Sequence, residues 1–91
     1  MLFMVHYEIE PHNRDNSYAR VLALGGDGTP PEVKVIGTYS SVTQLEGWVV
    51  VEASDSLALG KYMRHWTNLN VNRMIPIVDA DGQRAIMEGV V

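Results

Sequence analysis

The chain has 91 residues, room for one domain over 1–91 and no second. Seven basic against eleven acidic side chains give a net charge of −4, which argues against a nucleic-acid partner, since a phosphate backbone selects a basic face. Cysteine is absent, so disulfides, thiolate metal sites and cysteine nucleophiles are excluded.

Leu2–Ile9 is apolar with β-branched and aromatic character, and Glu10-Pro11 ends it, which predicts a first strand. The five apolar residues of MLFMV are too few for a signal peptide, and no run approaches the roughly 18 apolar residues of a membrane span. No basic amphipathic face suggests a membrane surface, and a cytoplasmic protein is expected. Asn13 or Asp15 is placed to cap a helix in which Tyr18, Val21, Leu22 and Gly25 recur at helical spacing. Gly25-Gly26 is its stop signal, and Asp27–Pro31 a turn-rich connector. Val33–Ser40 and Leu45–Ala53 read as a hairpin around the polar turn Ser41–Gln44.

Ser54 or Asp55 begins a second helix, expected to reach Leu69. At about 100° per residue, Leu59, Tyr62, Met63 and Leu69 gather around Trp66, while Leu57, Lys61 and Arg64 lie opposite. Val71–Val78 is a fourth strand with Pro76 inside it, which predicts an edge position where a missing N–H costs nothing. Residues 79–91 form a C-terminal extension that is either a short helix or an extra strand.

The order β-α-β-β-α-β is the split, ferredoxin-like pattern. It predicts an α+β domain with a four-stranded antiparallel sheet in the order 4-1-3-2 and two helices on one face. Two helices cover only one side of the sheet. The other carries Leu2, Met4, Ile36, Trp48 and Val50, too apolar for water, so a second copy is expected to cover it. Met4, His6, Ile36, Trp48 and Val50 are the expected dimer interface.

The LFMV start, YARVLALGG, VKVIGTY, HWTNL and MIPIVDADG, in this order and spacing, resemble a family of short uncharacterised bacterial proteins in the dimeric α/β-barrel, ferredoxin-like superfamily. The resemblance implies a homodimer with ligands between sheet and helices. The superfamily spans cofactor-independent monooxygenases, isomerases, haem-binding peroxidase-like enzymes and plain binding modules, so the fold does not choose a function. Members often place a histidine after the aromatic residue that ends strand two. Here Tyr39 is followed by Ser40, which puts a histidine-dependent activity at that point in doubt.

Few side chains offer chemistry. His65 is at the edge of the second helix's buried face, either an acid, base or ligand in a pocket or a boundary histidine with an ordinary hydrogen bond. Arg73 either clamps an anionic oxygen or guards an edge strand. These two are the catalytic candidates, and Tyr39, Tyr62, His65, Trp66 and Arg73 the candidate ligand contacts, although Tyr62 and Trp66 also read as plain core. His6 and Glu8 share a strand face with His12 beyond Pro11, but metal-ligand spacing is missing and no metal or other cofactor is expected; a polar pairing across the dimer interface is the simpler reading. GGDG at 25–28 follows a helix whereas phosphate loops precede one, and DADG at 79–82 has its glycine too early for a calcium loop. The expected function is a small dimeric module binding a small hydrophobic or aromatic molecule. The alternatives are a cofactor-independent monooxygenase or isomerase using His65 and Arg73, and a structural or regulatory dimer without a ligand.

Overall fold

Four strands form one antiparallel sheet in the computed structural model, which describes residues 1–89. In chain order the elements are β1 (Leu2–Glu8), a 3-10 turn (Pro11–Asn13), α1 (Arg14–Leu24), β2 (Val33–Ser40), β3 (Glu46–Ala53), α2 (Ser56–Met63), β4 (Val71–Ile77) and α3 (Ala80–Glu88). The strand order is β2-β3-β1-β4, the expected 4-1-3-2 read from the other edge. Pro76 lies in edge strand β4 opposite Phe3, as its missing donor requires.

Register divides the side chains between two faces. Phe3, Val5 and Tyr7 of β1 face the same side as Val51, Val49 and Gly47 of β3, their direct partners. This inner face carries the core: Phe3, Val5, Val33, Val49, Val51 and Ala53 close against Ala58, Leu59, Tyr62, Met63 and Trp66. Asp55 caps α2 by accepting from the Ala58 N–H at 2.8 Å. The apolar face read from the sequence is therefore the buried one, and Leu57, Lys61 and Arg64 are exposed.

Three local expectations are corrected. Helix α2 ends at Met63, not Leu69; tight turns carry the chain on, with the Trp66 N–H donating to Met63 O at 2.9 Å. The helical spacing of Tyr18, Val21 and Leu22 does not mark a buried face: Tyr18 and Leu22 are 65% and 64% exposed, and only Val21 packs against the core. Neither Asn13 nor Asp15 caps α1 through its side chain; Asn13 Nδ2 donates instead to Leu69 O at 3.4 Å. The Gly25-Gly26 stop is as read. Gly25 is left-handed at φ 70°, and the Gly26 N–H returns to Val21 O at 3.0 Å.

The extension expected at 79–91 is helical over Ala80–Glu88, capped by Asp79, and buries none of its side chains; Val90 and Val91 lie outside the described residues. No helix among the described residues is long and apolar enough to cross a membrane.

Candidate functional site

Helix α1 is fastened to the rest of the molecule by polar contacts. Asn13, Ser17 and Arg20 lie three or four residues apart, hence along one stripe of the helix. Ser17, buried, donates from Oγ to Asn70 Oδ1 at 2.8 Å, and Arg20 Nη1 donates to His65 O at 2.7 Å and Asn68 Oδ1 at 2.5 Å. All three reach the turns between α2 and β4. With so little apolar surface pulling it down, α1 stands off the sheet and leaves a cleft of about 530 Å3.

Val5, Val49 and Tyr7 of the inner face floor this cleft; Met63, Tyr62 and Trp66 wall one side, Val21 and Tyr18 of α1 another. Polar groups ring this apolar body: Ser17, Asn70 and Asn72 from α1 and the chain around the start of β4, Thr38, Ser40 and Gln44 from the β2–β3 hairpin, Arg14 and Asp15 on the helix, and Asp27. An apolar body with scattered hydrogen-bonding groups is the usual chemistry of a small-molecule site, and the volume lies within the usual 300–1,000 Å3.

Two features fix its shape. Tyr7 lies across Gly47, its partner on β3, and its hydroxyl is 3.3 Å from Ser40 Oγ on β2. A side chain at 47 would collide with the ring, so the glycine makes the tyrosine floor possible. Asp27 ties the α1–β2 connector to α2: Tyr62 donates from its hydroxyl to Asp27 Oδ2 at 3.0 Å, and Trp66 from Nε1 to Asp27 O at 2.7 Å. Thr29 donates to Asp27 Oδ1 from its backbone N–H at 3.2 Å and also from its hydroxyl. Burial, and then the Asp27 carboxylate, hold the Tyr62 hydroxyl well above the ordinary tyrosine pKa. Tyr62 is thus a fixed donor at neutral pH.

Of the five residues singled out as ligand contacts, only Tyr62 and Trp66 line the cleft. His65 faces a separate shallow hollow with Arg20, Lys61 and Arg64, and its ring abuts Gly28, where a Cβ would sit 2.7 Å from Cδ2. Tyr39 and Arg73 belong to the opposite, outer face. There Tyr39 pairs with Trp48, Trp48 with His6, and His6 with Arg73, so one row crosses all four strands. The outer face also carries Met4 and Val50, both half-buried, and Ile75, 51% exposed; Ile36 occupies an irregularity between Val35 and Gly37 and is 52% exposed. From the sequence, Tyr7 is one residue of the first strand and Asp27 part of a connector. Its pairing with α2 follows from no spacing.

A family model described as domain of unknown function DUF3303 matches residues 1–91, and the chain belongs to that family. No curated protein sequence matches it. Among solved structures, the chain is similar to Rv0793 from Mycobacterium tuberculosis at 17% identity and a TM-score of 0.49, over 86% of this chain and 94% of that one. It is also similar to a chain of the MjSpt4:Spt5 complex at 18% identity and a TM-score of 0.37, over 97% of this chain and 54% of that one.

Proposed function

We propose that this member of DUF3303 is a small dimeric module that binds a small apolar or aromatic molecule in the cleft between α1 and the sheet. The observation that carries the reading is the cleft itself: about 530 Å3 over an aromatic and aliphatic floor, with Tyr62 and Trp66 locked by Asp27. Rings held in place before a ligand arrives lower the ordering cost of binding it. Because α1 is docked by polar contacts, with Val21 its side chain against the core, it can move aside for entry at little loss of buried apolar area. His65 and Arg73 lie outside the cleft, so neither supports the reading, which rests on the shape and lining of the cleft.

The dimer part of the reading is supported by the outer face, where Met4, Trp48, Val50 and Ile75 are incompletely covered in one chain. A second copy laid sheet to sheet would cover them.

A thermal-shift screen of neutral and anionic aromatic compounds tests the binding reading, because a ligand specific for the folded state raises the midpoint. Val21→Trp, which fills the cleft from α1, should abolish the rise given by any hit while leaving the protein folded. A hit that stabilises Val21→Trp equally well would show that it binds elsewhere.

A further inference from the structure

On the outer face, away from the cleft, β1 and β3 bring together three groups that are far apart in sequence. Glu8 and Glu46 are direct cross-strand partners, and His6 is two residues from Glu8 on the same face of β1. One donor atom from each of His6, Glu8 and Glu46 lies within 4.8 Å of the others. His6 Nε2 is 2.7 Å from Glu46 Oε1, and the imidazole stacks on Trp48 with ring centres 5.6 Å apart and planes inclined by 23°. His12, the other histidine near this strand, is 72% exposed beside Glu10 and takes no part. The third group is Glu46, whose neighbourhood to Glu8 only the strand register reveals.

We propose that His6, Glu8 and Glu46 form a binding site for one divalent first-row transition-metal ion, of the zinc or manganese kind. Two carboxylates directly opposed across a strand pair repel each other, and a single imidazole hydrogen-bonded to Glu46 offsets only part of that repulsion. A dication between the three groups removes that repulsion and takes the place of the proton shared by Nε2 and Oε1. The distances suit it. Donors bound to one such ion at about 2.0–2.2 Å lie no more than about 4.4 Å apart, within reach of small side-chain rotations from the present arrangement. An imidazole beside two carboxylates selects a transition metal over calcium or magnesium, whose sites are built from oxygen. The Trp48 ring stacked on the imidazole limits its rotation and holds it beside the two carboxylates. Three protein donors leave a coordination position open to water. Glu8 ends β1 and Glu46 begins β3, so the site is at the rim of the sheet, open to solvent when the middle of the face is covered.

The test uses the full chain, freed of metal by chelation and titrated with Zn2+ and with Mn2+, with Mg2+ as the comparison. Calorimetry should give one ion per chain, and saturation should raise the thermal midpoint by roughly 5 °C or more. Glu8→Gln keeps the shape of the site but removes half of the carboxylate pair. It should raise the midpoint of the metal-free protein and weaken the ion at least about tenfold. His6→Ala should remove the response. No response of the unsubstituted chain to either transition metal overturns the proposal, and so does a response that survives unchanged in Glu8→Gln and in His6→Ala.

Discussion

Replacing Tyr62 by phenylalanine removes one oxygen from the wall of the cleft and one bond from the latch that holds the α1–β2 connector. The ring is 3% exposed, so its packing survives the change and the hydroxyl alone is tested. That hydroxyl donates to Asp27 Oδ2 at 3.0 Å, and a hydrogen bond to a charged acceptor contributes about 1.5–3 kcal/mol. Asp27 keeps the two donors of Thr29 on its other oxygen, which limits the cost of stranding it and favours the lower half of that range. A loss of about 1.5–2 kcal/mol is expected, and in a domain of this size it lowers the thermal midpoint by roughly 6–16 °C. Urea titration followed by tryptophan fluorescence measures it directly, since Trp66 donates to the same residue. The pH dependence supplies a second reading. Tyr62 has its pKa raised in the folded state, so its contribution is fully present below the unfolded value of about 10 and is lost as pH rises beyond it toward the folded value. The native chain should lose stability above about pH 10 more steeply than Tyr62→Phe. A change under about 0.5 kcal/mol, or identical alkaline limbs, would refute the latch.

Gly47→Ala should cost about 1–3 kcal/mol in chemical denaturation, because the new methyl group displaces the Tyr7 ring from the floor of the cleft; an unchanged midpoint would mean that the ring swings aside freely. Trp48→Glu should dissociate or unfold the proposed dimer, and sedimentation at micromolar concentration checks it. A folded monomer before substitution would end the dimer reading.

How far the sequence reached depended on whether the information was local. Alternation placed Leu2, Met4, Trp48 and Val50 on the face away from the helices, and Pro76 marked an edge, since strand geometry repeats every two residues whatever surrounds it. The stripe through Leu59, Tyr62, Met63 and Trp66 was equally plain. The end of α2 was hidden because no glycine or proline marks it, and the turns after Met63 keep Trp66 on the buried side. Helix α1 misled more deeply. Tyr18 and Leu22 suggest an apolar face, while the surface that docks is Asn13, Ser17 and Arg20, whose partners at 65–70 come from another part of the chain. The cleft exists because of that docking, so it was not legible either. The same holds for Glu46, which joins His6 and Glu8 only through register.

The polar fastening of α1 has a consequence for how the molecule breathes. Releasing this helix frees hydrogen bonds to His65, Asn68, Leu69 and Asn70 but bares little apolar surface, since Val21 is its one side chain against the core. The sensitivity of an opening to denaturant scales with the area it exposes. Amides of α1 should therefore exchange with solvent deuterium through a local opening whose free energy hardly changes with urea. Those of β1 and β3 should wait for global unfolding, with its full denaturant slope. The two rates would converge only near the unfolding midpoint, leaving a helix that opens often over a sheet that does not.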